Sequence, residues 1–130
     1  MMNRTFLIGG TVMGALAVAL GAFAAHGLKQ LVDNDAVSVF QTGVQYQMYH
    51  ALALLVAGIL FEKFPNKLIA RAGGCFITGI ILFSGSLYVL TMLKAMNQSV
   101  PKVVNIITPF GGVFFILGWL FLFFGLLKRK

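Results

Sequence analysis

His26 and His50 are the chain's two histidines, and Gln41, Gln45, Tyr46 and Tyr49 lie near the second of them in the sequence. Imidazole, amide and phenol groups gathered in one place support three kinds of chemistry. They can tie a connecting segment to its neighbours by hydrogen bonds, supply two imidazoles to a metal or haem, or line a polar pocket for a lipid head group or small ligand. Two histidines with no adjacent acid or thiol set are a thin ligand field, so no metal and no cofactor is expected.

Other chemistry is less well provided for. The chain has no nucleophile elbow, no His-Glu-x-x-His and no phosphate loop. Its three acids are Asp33, Asp35 and Glu62, and they are not expected to share a site. Ser84 or Ser86 beside a histidine would lack an acid to orient that base, so the serines read as packing residues and no enzyme is expected.

The elements that must position these groups follow from composition. Of the 130 residues, 59% are hydrophobic and 10% charged, too little polar surface to cover a soluble core. Four runs reach the ~20 apolar residues that a membrane-spanning helix needs, at about 5–25, 44–61, 70–93 and 103–127. In the last run Thr108 and Pro109 form a helix-start signal, threonine as N-cap and proline first, which trims the span to 108–127. Residues 1–130 thus read as a single membrane domain, an all-α, polytopic bundle of four transmembrane helices.

Between the first two spans, Leu28, Leu31, Val32, Val37 and Phe40 leave an apolar stripe beside polar neighbours. The pattern predicts a short amphipathic helix along the outer interface, with Asp33 and Asn34 as caps. Gln41, Gln45 and Tyr49 recur at i, i+4, i+8, next to the row Thr42, Tyr46 and His50. Unpaired amides in hydrocarbon are costly, so this wedge is expected to face the bundle interior, with His26 and His50 near the same outer boundary.

Small residues mark the packing faces. Gly10, Gly14, Ala17, Gly21 and Ala25 share one face of the first span, and Gly111, Gly118 and Gly125 repeat every seven residues in the fourth. Small side chains let backbones approach closely, which is what associates helices in lipid. These faces also suit contacts between subunits, so a homo-oligomer is compatible with them. Cys75, alone in an apolar run, reads as a small core residue with no disulfide partner. The "AFA" of residues 22–24 resembles a signal-peptidase site, but the preceding run of about twenty uncharged residues exceeds a signal peptide's apolar region, and the first span is expected to be retained.

Charge sets orientation. Arg4, Lys63, Lys67, Arg71, Lys128, Arg129 and Lys130 fall on one side, and Lys29, Lys94 and Lys102 on the other. By the positive-inside rule both termini are cytoplasmic, with the "KRK" tail against anionic head groups. The basic residues end apolar runs and form no stripe, so the partners expected are membrane lipids and no nucleic acid. No Asp, Glu, Lys or Arg falls in the middle of a span, which disfavours proton-coupled transport and leaves an oligomeric transporter or channel subunit as the alternative to a binding role.

Four stretches, "LGAFAAHGL", "FQTGVQYQMYHALALL", "LFSGSLYVL" and "TPFGGVFFILGW", together resemble the family catalogued as domain of unknown function 423. Its members are small inner-membrane proteins, and the animal transmembrane protein 256 is among them. The resemblance rests on Gly21, Ala22, Phe23, His26, Gln41, Thr42, Gly43, Tyr46, His50, Ser84, Gly85, Ser86, Tyr88, Pro109, Gly111, Gly112 and Trp119. It implies four helices and an inner-membrane location, and carries no activity. The chain departs from the family pattern at Ala24, often glycine, and at Gln45, a carboxylate in some members; the second departure counts against proton exchange there.

Overall fold

In a computed structural model, which describes residues 2–128, the described residues are helical apart from short links between the helices. Arg129 and Lys130, the end of the basic tail, lie outside the described residues. Helix α1 covers Arg4–Ala25 and α2 covers Asn34–Lys63. The third span is built from α3, Lys67–Gly79, a π-helical segment, Ile80–Ser84, and α4, Gly85–Ala95. Helix α5 covers Lys102–Leu127. The four rods are long and apolar enough to cross a membrane.

Local chemistry fixes most of the helix ends. Asn3 caps α1 by accepting from the Phe6 N–H, and its own N–H donates to the Gly58 carbonyl of α2 at 3.0 Å. Asp33 caps α2 by accepting from the Ala36 N–H at 2.8 Å, while Asp35 in the first turn and Lys63 in the last both complement the helix dipole. Asn66 does more than end a link. Its side-chain oxygen accepts from the Leu68 and Ile69 N–H groups, and its side-chain NH2 donates to the carbonyls of Phe64 and of Gly125 at the end of α5, joining the third and fourth spans at one end of the bundle.

The segment between the first two spans resolves into two parts. Only Leu28–Gln30 is a separate turn, of 3-10 type; Val37 and Phe40 belong to the first turns of α2, which runs unbroken from its Asp33 cap. Leu28 is fully buried with Ala24, Val37 and Phe40, so the connection seals that end of the bundle instead of lying free along its surface.

The fourth helix corrects a second expectation, because Thr108 and Pro109 do not start it. The helix begins at Lys102, after Pro101, and Pro109 lies inside it. Proline inside a helix removes one hydrogen bond, here the one to the Asn105 carbonyl a turn earlier. Thr108 bonds back to the Val104 carbonyl and shares a hydrogen bond of 2.6 Å with Ser86 of α4, so its hydroxyl joins helices where a cap would have begun one. Cys75 is only partly buried, because the buried face of α3 runs through Ile69, Ala72, Gly73 and Phe76 and leaves it at the edge.

Glycines set the closeness of the packing. A methyl group at Gly10 would stand 2.9 Å from the Ala51 carbonyl oxygen of α2, and one at Gly111 would collide with the backbone of Phe83. At Gly118 and Gly125 it would reach 2.6 Å from Phe76 and 2.7 Å from Ile69. Gly14 and Gly21 are looser, with the nearest atoms of α2 at 4.0 and 3.4 Å. Gly74 and Gly85 have nothing within 4 Å. Gly111→Ala should therefore force α5 off the third span and lower stability by about 1–3 kcal/mol, whereas Gly74→Ala should be neutral or raise it by up to ~1 kcal/mol. Unfolding in mixed micelles followed by circular dichroism measures both.

Candidate functional site

The inward face of α2 passes through Phe40, Gly43, Gln47, His50, Leu54 and Ala57, all buried. That places Gln47 in the bundle and turns Gln41 and Gln45, which stand about 100° or more away around the helix, out to the surface. Tyr46 and Tyr49 are 40% and 55% exposed. The expectation that the wedge of Gln41, Gln45 and Tyr49 faces inward is thus corrected. The row that faces in carries its polar groups at Gln47 and His50.

Gln47 joins three helices. Its amide donates to the Met13 carbonyl of α1 at 2.8 Å, and its side-chain oxygen accepts from the Tyr88 hydroxyl of α4 at 2.7 Å. One turn earlier, Ser84 donates to the Gly43 carbonyl at 2.6 Å. Gly43 makes room for this: a methyl there would stand 2.9 Å from the Tyr88 ring. Among the described residues no buried side-chain nitrogen or oxygen is left without a partner.

His50 is held equally firmly. Nδ1 lies 2.7 Å from the Tyr46 carbonyl, which can only accept, and Nε2 lies 3.1 Å from Trp119 Nε1, which can only donate. These partners specify the neutral tautomer with its proton on Nδ1. The ring stacks on Phe115 with centroids 3.6 Å apart and planes at 11°, and Phe115 in turn fills the notch at Gly79.

His26 is elsewhere. It is exposed at the end of α1, with Nδ1 2.9 Å from the Ala22 carbonyl of its own helix. Met13, which receives Gln47, precedes it by thirteen residues, about 20 Å along the axis at ~1.5 Å per residue. The two histidines therefore do not meet, and a shared metal, haem or ligand site built on both is ruled out by distance. Among the described residues no group of three His, Cys, Asp or Glu side chains could hold a metal ion.

What the structure does bring together is a groove of ≈ 650 Å³ between α2 and α5. Tyr46, Tyr49 and His50 form one wall, Pro109, Gly112, Val113, Ile116 and Trp119 the other, with Phe83 and Phe115 at its base. Its lining holds no charged side chain. The Tyr46 and Phe83 rings stand 4.9 Å apart, and Trp119 packs on Phe76 at 5.2 Å while its N–H reaches His50. Sequence reasoning found Tyr46, Tyr49 and His50, but not Gln47, Gly112 or Trp119 as their partners. The signal for Gln47 was its i+4 and i+7 spacing from Gly43 and Phe40, both apolar positions of a helix face.

Tyr88→Phe leaves the Gln47 oxygen buried without its donor and should cost about 1–3 kcal/mol. Gln41→Ala and His26→Ala, at exposed positions, should stay within about 0.5 kcal/mol of the parent. The same micelle unfolding assay separates the two groups.

Comparisons agree with this architecture. The model of a family described as "Protein of unknown function (DUF423)" matches residues 20–112. The chain is 42% identical over 118 residues to the UPF0382 membrane protein YwdK of Bacillus subtilis (strain 168), covering 90% of this chain and 91% of that one. It is 40% identical over 125 residues to the UPF0382 membrane protein SAB0533 of Staphylococcus aureus (strain bovine RF122 / ET3-1), with 96% and 97% covered. A UPF0382 membrane protein of Haemophilus influenzae (strain Rd) is 40% identical over 129 residues, with 99% and 98% covered. No solved structure matches the chain. With the family model spanning most of the chain and relatives aligned almost end to end, this four-helix membrane protein belongs to the DUF423 family of proteins of unknown function.

Proposed function

We propose that this membrane protein is non-enzymatic and holds the hydrocarbon chain of a bilayer lipid in the groove between α2 and α5. One observation carries the reading: the groove opens on the outer surface of the bundle, is lined by apolar and aromatic side chains without a charge, and lies at the level of His50. Gln47 and Met48 fix that level, since they meet Met13 and Gly14 in the middle of α1. A phosphate or ammonium head group is held at the interface, about 15 Å from the bilayer centre. At groove depth the bilayer supplies lipid chains. The groove's volume falls within the ~300–1,000 Å³ range of small-molecule sites.

The non-enzymatic part is supported by the use already made of the reactive groups. Both His50 nitrogens are engaged, Ser84 is committed to Gly43, and Ser86 is committed to Phe83 and Thr108. We further place the protein in the cell's inner membrane with both termini cytoplasmic. The excess of Lys and Arg beside the N-terminus, the α2–α3 link and the tail supports this orientation.

Trp119 is the chain's one tryptophan and stands on the groove wall, so its fluorescence reports occupancy. In vesicles of phosphatidylglycerol and phosphatidylethanolamine, phospholipid brominated deep in its acyl chain should quench Trp119 more steeply than random lipid contact allows. Gly112→Leu should remove the excess, because a side chain at this position has only Phe83 nearby, at 3.9 Å, and extends into the groove. Quenching that is indifferent to Gly112→Leu would sink the reading. For orientation, in a Cys75→Ser background, a cysteine at Gln98 should react with an impermeant maleimide added to intact cells and one at Glu62 should not; both positions are exposed.

A further inference from the structure

The outer stripe of α2 carries polar groups at a depth where lipid offers them nothing. Val44 touches Gly21, four residues from the end of α1, and Met48 lies beside Gly14 at its centre. Gln45 is therefore roughly 6–8 Å inside the outer end of α1, and Tyr49 is near its midpoint, at ~1.5 Å per residue. Both are exposed, and among the described residues neither side chain has a hydrogen-bond partner. An amide or phenol in hydrocarbon without a partner is costly.

We propose that this stripe is the interface of a homodimer, α2 against α2 across a two-fold axis. Three features favour a second copy. The exposed residues Gln45, Tyr49, Leu52, Val56 and Ile59 are spaced four, three, four, three, the seam of a parallel left-handed helix pair, and two copies with the same orientation in one membrane present α2 in parallel. Gln45 and Tyr49 each carry both a donor and an acceptor, so each can pair with itself about the axis, as an isologous contact requires. The seam carries no charge, so like copies do not repel. The glycine faces of α1 and α5, expected as packing faces and also suited to subunit contacts, are turned to α2 and to the third span within one chain. A polar residue at one seam position also fixes the register of the pair. This dimer does not depend on what fills the groove, although Tyr49 belongs to both surfaces.

Cross-linking in native membranes tests it. In a Cys75→Ser background, Leu52→Cys and Ile59→Cys should give dimers with a short bis-maleimide, and Leu120→Cys on the lipid side of α5 should not; all three positions are exposed. Adding Gln45→Leu should weaken association on the order of tenfold, as expected for one interhelical hydrogen-bonded pair, with Gln45→Asn retaining part of it. The unfolding midpoint of the Gln45→Leu variant in micelles should stay within error of the parent, since Gln45 is exposed and its side chain makes no hydrogen bond inside the bundle. The proposal is overturned if Leu52→Cys and Ile59→Cys fail to cross-link, if Gln45→Leu leaves their cross-linking unchanged, or if they cross-link to a different protein.

Discussion

In hydrocarbon, helices gain nothing by hiding apolar side chains from one another's surroundings, since lipid tails are as apolar as leucine. Contact must come from dispersion over surfaces that fit, and dispersion falls away within an ångström of separation. The bundle meets this demand by seating rings in glycine notches. Phe6 lies in the notch of Gly73, Tyr88 in that of Gly43, Phe115 in that of Gly79 and Phe76 in that of Gly118. Each pair joins different helices, and together they bind α1 to α3, α2 to α4, and α5 to the third span. Where the polar groups fall follows from these seats: Tyr88, placed by Gly43, reaches Gln47; Phe115, placed by Gly79, stacks on His50.

The polar contacts then give the bundle its register. Gln47 and Ser84 reach across helices to a backbone carbonyl, and Ser86 reaches across to Thr108; Gln47 also receives Tyr88 and His50 receives Trp119. In a bilayer such bonds have no water to compete with them, and a slip of one residue along any helix would leave several groups unpaired at once. Close glycine packing supplies the attraction, and the hydrogen bonds select one arrangement among the many that sliding would permit. His50 belongs to this selecting set, with Trp119 as its partner and the groove wall as its surface.

Much of the architecture could be read from the residues. Apolar runs gave the four spans, and the sevenfold glycines marked the buried side of α5 because only glycine tolerates a ring or a backbone at that distance; Asp33, legible as a cap, caps α2 itself and no separate short helix. The rotation of α2 was harder to read. Gln45 and Gln47 are two residues and about 200° apart around a helix, and the rule that polar groups face inward applies equally to both. What separates them is the company of Phe40, Gly43, Leu54 and Ala57, a pattern of buried apolar positions and not of polar ones. Pro109 misled for a related reason. A Thr-Pro pair is a sound helix start in water, but with the neighbouring hydroxyl of Ser86 available, Thr108 is used between helices and the loss of a single backbone bond is tolerated. The separation of His26 from His50 depended on how far α2 extends past its apolar run, which hydropathy does not record.

The π-helical segment Ile80–Ser84 gives the third span a property that an uninterrupted helix would lack. One extra residue in the turn rotates everything beyond it by about 100° relative to a regular helix. The lower half presents Ile69, Ala72 and Phe76 to the apolar centre of the bundle, while the upper half presents Ser84, Leu87 and Thr91. The span is thus two rods with independent faces, coupled through a phase step. Both halves pack on α5, one through Gly118 and Gly125 and the other through the Ser86–Thr108 hydrogen bond, while Gly43 of α2 seats the Tyr88 ring of the second half, so the phase step lets a single span offer a differently turned face to each set of contacts.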